Sequence, residues 1–318
     1  MKKKWIVLYF ILLFMPFIVV LAMGKMGFFE EKPTPDLPKG STVTLYRTES
    51  KTTQTLPLKD YLWGVLAGEM PASYPQEALK AQVVASYSYL LHRKESIRSH
   101  PDSDFGHSGD VCDNPAHCKA YLSPADAAEK WGTDWLDSSE PLLNSAVEEV
   151  LGTAVLYDDA PANTVFHAIS GGKTESAKDI WGAEIPYLQS LDSSWDRQAK
   201  GFSSEVTLSL EEFSKILKQE NYALGAITNT NGGSVNTIRL GEKTYTGQEI
   251  RALFGLRSTR FTLEFKKDQA IFKVCGYGHQ VGMSQHGACI LAEEGYTYQE
   301  ILAYYYPHTT LAKYYFDE

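Results

Sequence analysis

The sequence predicts an α+β domain carried behind a single N-terminal membrane helix. Three observations lead there. The run Trp5 to Met23, WIVLYFILLFMPFIVVLAM, holds no charge and is long enough to cross a hydrocarbon core as a helix. Helical periodicity then dominates the chain from Leu58 to Leu151. Short runs of β-branched and aromatic residues prevail later, and helices first with strands after is the mixed order of an α+β fold.

Taken in order, Lys2, Lys3 and Lys4 precede the span. Lysines beside a span stay in the cytoplasm, so residues 1–4 are expected inside, 5–23 in the cell membrane, and the bulk outside. A cleaved signal peptide is the competing reading, with Val20-x-Ala22 as its cleavage match, but the apolar run is longer than a signal core. Both readings export the rest. Residues 24–42 carry Pro33, Pro35, Pro38 and Gly40 without an apolar period and read as a stalk. Residues 43–318 then form the extracytoplasmic domain.

Ser41 to Tyr46 alternates like a short edge strand. Leu58 to Ala67 places Tyr61, Leu62, Val65 and Leu66 on one helical face, and Gly68 and Pro71 end that helix around Glu69. Ser73 with Gln76 reads as a capping box, with Pro75 in the first turn of a helix whose body is Glu77 to Lys94. Residues 96–124 are polar and irregular. Helices are expected over Asp126–Trp135 and Pro141–Leu151. Strands are expected over Thr153–Tyr157 and Thr164–Ala168, joined by the turn Asp158–Pro161. Ser209 and Glu212 cap a helix running to Lys218. Arg260–Phe265 and Ala270–Val274 read as strands, Met283–Glu293 and Tyr298–Tyr306 as helices.

The net charge is −9 with no basic stripe, which argues against a nucleic-acid partner. The many tyrosines suit either a sugar-holding groove or plain packing. Three segments concentrate chemistry. Glu69 sits in GVLAGEMPASYPQEALKAQ, beside Leu66, Met70 and Pro71, where desolvation would make its carboxyl a usable acid near neutral pH. Ser170, Gly171, Gly172 and Thr174 form a small-residue turn after the strand bearing His167. Gly276 to Ala288, GYGHQVGMSQHGA, surrounds His279 with glycines and opens a helix at Ser284 and Gln285, whose N-terminal amides are available to a ligand.

These segments, in this order, resemble the stage II sporulation protein D family over about residues 41–312. GVLAGEMPASYPQEALKAQ looks like its glutamate motif, SGGKT with Trp181 and PYL at 186–188 like its middle motif, and GHQVGMSQHGA like its C-terminal signature. The chain departs from the pattern at Gln280, usually Gly, at His286, usually Tyr, and at Ser86-Tyr87-Ser88-Tyr89, usually Ala-Arg-Thr-Tyr. The resemblance implies a membrane-anchored lytic transglycosylase that cleaves peptidoglycan glycan strands, with Glu69 as general acid and then base. It implies groove contacts at Lys80, Ser170, Thr174, His279 and Gln285. Asp179, Glu184 and Asp192 are candidates to tolerate developing positive charge. By resemblance the setting is sporulation engulfment in an endospore former, with an anchored amidase/endopeptidase and a membrane protein as partners. No organic cofactor is expected.

His107, Cys112, His117 and Cys118 lie within a loop at 105–121. By ligand type they make a tetrahedral zinc set, while a Cys112–Cys118 disulfide fits an exported protein equally well. The family resemblance favours a structural zinc. Cys275 and Cys289 read as buried thiols or a mutual disulfide. No His-Glu-x-x-His motif occurs, which argues against a zinc hydrolase. A non-catalytic wall-glycan-binding or amidase-stimulating module is the alternative to an enzyme.

Overall fold

The computed structural model describes residues 41–100, 106 and 108–315. The expected span at 5–23, nearly all of its stalk, and His107 lie outside the described residues. Among the described residues, no helix is long and apolar enough to cross a membrane.

The α+β expectation holds. β1 (Thr42–Arg47) pairs antiparallel with β2 (Thr52–Pro57) and parallel with β3 (Val111–Cys112), so the expected edge strand is central in its small sheet. α1 (Leu58–Glu69) buries Leu58 and the whole run Tyr61 to Ala67. α2 (Gln76–Ser99) buries Ala78, Leu79 and most of Ala81 to Leu91, and is the hub of the main core. The Ser73–Gln76 capping box does not form. Pro75 takes the cap position, and the Gln76 amide donates instead to the Leu142 carbonyl.

α3 (Pro124–Trp131) and α4 (Thr133–Val150) replace the two helices expected over 126–151. The break falls at Gly132, whose φ of +93° no ordinary residue adopts cheaply. Pro141 lies inside α4 and does not start it. β4 (Thr153–Tyr157) matches its expected bounds. Its hairpin partner is β5 (Ala160–Pro161), across Asp158 and Asp159, both with positive φ. That is the geometry of a two-residue hairpin turn. The expected strand 164–168 shrinks to β6 (Phe166–His167), because the strand it pairs with among the described residues is two residues long. A short helix, α5 (Ala177–Trp181), follows.

Residues 203–275 build a lobe with its own apolar core. It contains β7 (Ser203–Ser209), α6 (Leu210–Leu217), β8 (Leu224–Asn229), β9 (Val235–Leu240), β10 (Lys243–Thr246), α7 (Gly247–Phe254), β11 (Phe261–Lys266) and β12 (Gln269–Cys275). Two three-stranded sheets, β10-β9-β8 and β11-β12-β7, bury Phe213, Ile238, Ile250, Phe254 and Phe272 among others. The Ser209–Glu212 capping box forms as expected. β13 (Met283–Ser284) pairs in parallel with β6, α8 (Gln285–Glu293) and α9 (Tyr298–Tyr305) pack on α2, and β14 (Thr310–Lys313) returns to β4.

Candidate active site

Glu69 is the last residue of α1 and is followed by Met70 in extended conformation. The loop 118–122 lies against this end of the helix because α1 presents Gly64 and Gly68 one turn apart. A Cβ on Gly64 would enter the Tyr121 ring, and one on Gly68 would press on the Ala120 backbone. With both absent, Leu122 N–H reaches the Gly64 carbonyl at 3.0 Å. Ala120 N–H reaches Glu69 Oε1 at 2.6 Å.

The Gln285 amide also donates to the Glu69 carboxyl. Its nitrogen lies 3.3 Å from Gln82 Oε1, and the Gln82 amide in turn donates to Ser86 Oγ at 3.1 Å. The two amide protons of Gln285 thus join α8, α2 and the glutamate. Ser284 fixes the start of α8: its hydroxyl accepts Gly287 N–H and donates to the buried Asp196.

Lys119, which the sequence reading did not single out, is buried beside Glu69. Its ammonium lies 3.8 Å from the Phe166 ring centroid and 4.2 Å from that of Tyr89. Burial pulls it down to about 8, opposed by the negative charge of Glu69. The Glu69 carboxyl moves the other way. Burial raises it above the usual carboxylate range, and Lys119, Ala120 N–H and Gln285 only partly offset this. Its place at a helix C-terminus, the negative end of the dipole, acts in the same direction as burial. A carboxyl whose charged form is disfavoured, beside a reluctant cation, is an arrangement suited to giving up and retaking a proton.

Of the other expected site residues, His279 lies near this cluster. Its Nδ1 accepts Val281 N–H at 3.1 Å, and its other nitrogen bonds the Phe166 carbonyl. Burial, then His167 and Lys119, hold it well below its ordinary value. Ser170 and Thr174 are fully buried, and their hydroxyls serve their own loop. Ser170 Oγ accepts Gly172 N–H, while Thr174 bridges the Gln189 carbonyl and Leu191 N–H. Lys80 pairs with Glu77 at 2.7 Å and Glu149 at 2.5 Å, and the charge beside Glu69 is that of Lys119. Asp179 accepts from Ser176, the N-cap of its own helix, Glu184 pairs with Lys178, and Asp192 accepts from Ser194.

Cys112 and Cys118 are not joined by a disulfide, and each sulfur lies 3.3 Å from His117 Nδ1. The three donor atoms fall within 4.8 Å of one another. Two thiols and an imidazole converging on one point are the donors zinc prefers, so the residues fit that ion. Cys275 and Cys289 form no mutual disulfide either.

A cleft of about 960 Å³ opens over Glu69, lined by residues 67–73 and by Lys130, Trp131, Trp135, Ser138, Ser139, Leu142 and Tyr277. Glu69 is the sole carboxylate among these lining residues.

A family model described as Stage II sporulation protein matches residues 46–157. Stage II sporulation protein D of Bacillus subtilis (strain 168) is 33% identical over 276 residues, covering 86% of this chain and 79% of that protein. The chain belongs to the stage II sporulation protein D family. The Bacillus amyloliquefaciens protein of the same name is 33% identical over 272 residues, 83% of this chain and 77% of its own. The Amidase enhancer of Bacillus subtilis is more distant, 25% identical over 313 residues, with 80% of this chain and 40% of that protein covered. Lys119 sits in the chain directly between Cys118 and Ala120, whose N–H meets Glu69, but nothing in the sequence marks it as buried.

Proposed function

We propose that this protein is a lytic transglycosylase acting on peptidoglycan glycan strands during sporulation, held at the membrane by residues 5–23. The observation that carries this over hydrolysis is the single carboxylate among the described residues lining the cleft. Hydrolases that cut glycosidic bonds place two carboxyls across the bond, one of them to activate water or attack the sugar. An internal nucleophile removes that need. Protonated Glu69 donates to the glycosidic oxygen as the bond to C1 breaks. The carboxylate left behind accepts the proton of the sugar's 6-hydroxyl as that oxygen bonds C1. The products are a free 4-hydroxyl end and a 1,6-anhydro ring, and no water is consumed. Lys119 and the Ala120 and Gln285 donors stabilise the carboxylate between the two proton transfers, while burial keeps it basic enough to retake a proton.

The family's amidase-enhancer relative motivates a second reading, a glycan-binding or amidase-stimulating module without turnover. Replacing Glu69 separates the two. Glu69→Gln keeps an oxygen for Ala120 N–H and removes the transferable proton. It is expected to lower release of anhydro-muropeptides from purified wall glycan by about 10²-fold or more, with Tm and wall binding retained. Undiminished release, measured by mass analysis, would overturn the assignment.

In the same reading Cys112, His117 and Cys118 hold a structural zinc, with His107 as the fourth ligand. When bound, that ion would fix the loop whose next residues, Lys119 and Ala120, face Glu69. The purified protein is expected to carry about one zinc per chain. Chelation or Cys118→Ser is expected to lower Tm and turnover together. A metal-free protein with full activity and unchanged Tm under chelation would dismiss the ion. An anchored amidase/endopeptidase and a membrane protein are the proposed engulfment partners.

A further inference from the structure

Eight large apolar side chains of the described residues are exposed, and three of them, Trp131 (51% exposed), Leu142 (44%) and Tyr277 (46%), line the cleft over Glu69. Exposed aromatic surface gathered on one cavity is unfavourable in water unless something covers it, and marks a binding face. The two rings come from distant segments of the sequence and each is held in place. Trp131 ends α3, where the positive-φ Gly132 breaks the helix. A Cβ at Gly132 would meet nothing within 4 Å, so the glycine is there for its backbone angle alone. The break sets Trp131 against Trp135 with ring centroids 6.3 Å apart and planes 38° apart. Tyr277 is fixed by two backbone hydrogen bonds with Ile169, at 2.7 and 3.1 Å, and by the Arg257 guanidinium 4.8 Å from its ring centroid.

The exposed polar side chains of the lining are Ser73, Lys130 and Ser138, the last donating its hydroxyl to its own helix and left free to accept. This mixture suits one chemical class. A pyranose ring offers flat C–H faces and a rim of hydroxyls and, in an amino sugar, an acetamido carbonyl. Its faces pack on aromatic rings, and its rim takes hydrogen bonds from serine and lysine. An apolar helix would leave the exposed Ser73 hydroxyl and Lys130 ammonium covered without a hydrogen-bonding partner. A groove of rigid aromatics with few placed polar groups is also the usual make-up of a pre-formed ligand site.

We infer that Trp131 and Tyr277 are the stacking platforms for N-acetylhexosamine rings in the subsites adjoining Glu69, with Trp135 backing Trp131. This rests on the reading of Glu69 given above and adds the residues that hold the strand while it is cut. Such rings lower KM; they do not transfer protons.

The test uses the full-length protein. Glu69→Gln, which binds without cutting, is titrated calorimetrically with a β-1,4-linked N-acetylglucosamine hexamer. Trp131→Ala and Tyr277→Ala in that background are each expected to weaken binding about tenfold. Trp131→Phe should recover most of the loss, and Tyr296→Ala, which removes an exposed ring outside the cleft, should leave binding unchanged. In the protein with Glu69 intact, Trp131→Ala should raise KM for wall glycan several-fold more than it changes kcat. Undiminished hexamer binding in both alanine variants overturns the platform and leaves the role of Glu69 standing. No hexamer binding, with glycan still cleaved by the unsubstituted protein, does the same. Absence of both binding and cleavage overturns the platform and the lytic reading together.

Discussion

Phe213 and Lys119 are both buried, in regions that spend burial differently. Phe213, in the 203–275 lobe, meets Phe254 at 4.9 Å, Phe265 at 5.4 Å, Tyr222 at 5.5 Å and Phe272 at 6.0 Å between ring centroids. Every one of those contacts removes apolar surface from water and is favourable in itself. Lys119 also lies between rings, but there a charge has been taken from water, and Glu69, His167 and His279 near it are likewise shifted by desolvation. The site holds groups that would be more stable elsewhere, and the surrounding apolar packing must offset that cost. The two regions meet through polar clamps. Glu175 accepts Ser234 N–H at 3.0 Å and Lys173 reaches the Asn231 carbonyl at 3.2 Å. The lobe thereby braces the 169–176 loop that packs under His279.

The largest effect that can break this comparison is in the lobe. Phe213→Ala removes the centre of an aromatic cluster at a fully buried position and is expected to destabilise by about 3–5 kcal/mol. For a domain of this size that is a fall in Tm on the order of 10 °C. Below the transition, the pH profile of glycan cleavage should keep its shape, because no titrating group of the site touches Phe213. A changed profile, measured well below Tm, would mean that the lobe tunes the site and does not merely brace it.

The same division explains what could be read from the chain. α1, α2, α8 and α9 are legible because their apolar residues recur at helical spacing and their faces are buried. Glu69 is legible because the helix end, Gly68 and Pro71 all mark its place. The lobe is half legible. β7 alternates in burial but reads SSEVTLS, whose weakly apolar residues give little signal, and β8 is exposed throughout and shows no period. Lys119 was invisible for a different reason. A lysine in a polar loop is ordinarily solvated, and its burial depends on Phe166 and Tyr89 arriving from distant segments. Ser170 and Thr174 turn inward for the converse reason, since small hydroxyls in a turn find their own backbone first. The exposed rings of the cleft sat in helical and glycine-rich contexts that only the folded chain brings to one cavity.

The smaller effect is in pH, and it belongs to the site alone. His167 donates from Nδ1 to the Val281 carbonyl at 3.1 Å, and its buried Nε2 has no hydrogen-bond partner among the described residues. A proton added there would be an unpaired charge in the interior. Burial accordingly holds His167 down to about 4, with Asp196 opposing. In the unfolded chain it titrates near 6.5. Between those values the unfolded state binds the proton and the folded state does not, so stability rises with pH. The contribution is fully present above about pH 6.5 and is lost as pH falls toward 4, amounting to about 3 kcal/mol. Glu69 has the opposite sign. Its raised folded value makes its contribution complete below the unfolded carboxyl value, and that contribution is lost as pH climbs through the folded one. Tm measured from pH 4 to 8 should therefore show an acid limb that flattens in His167→Gln and persists in Glu69→Gln. Phe213→Ala should displace the whole curve downward without changing that limb. If His167→Gln leaves the acid limb as steep as before, the strain assigned to the buried histidine lies in another group, and the contrast between lobe and site has to be drawn around that group instead.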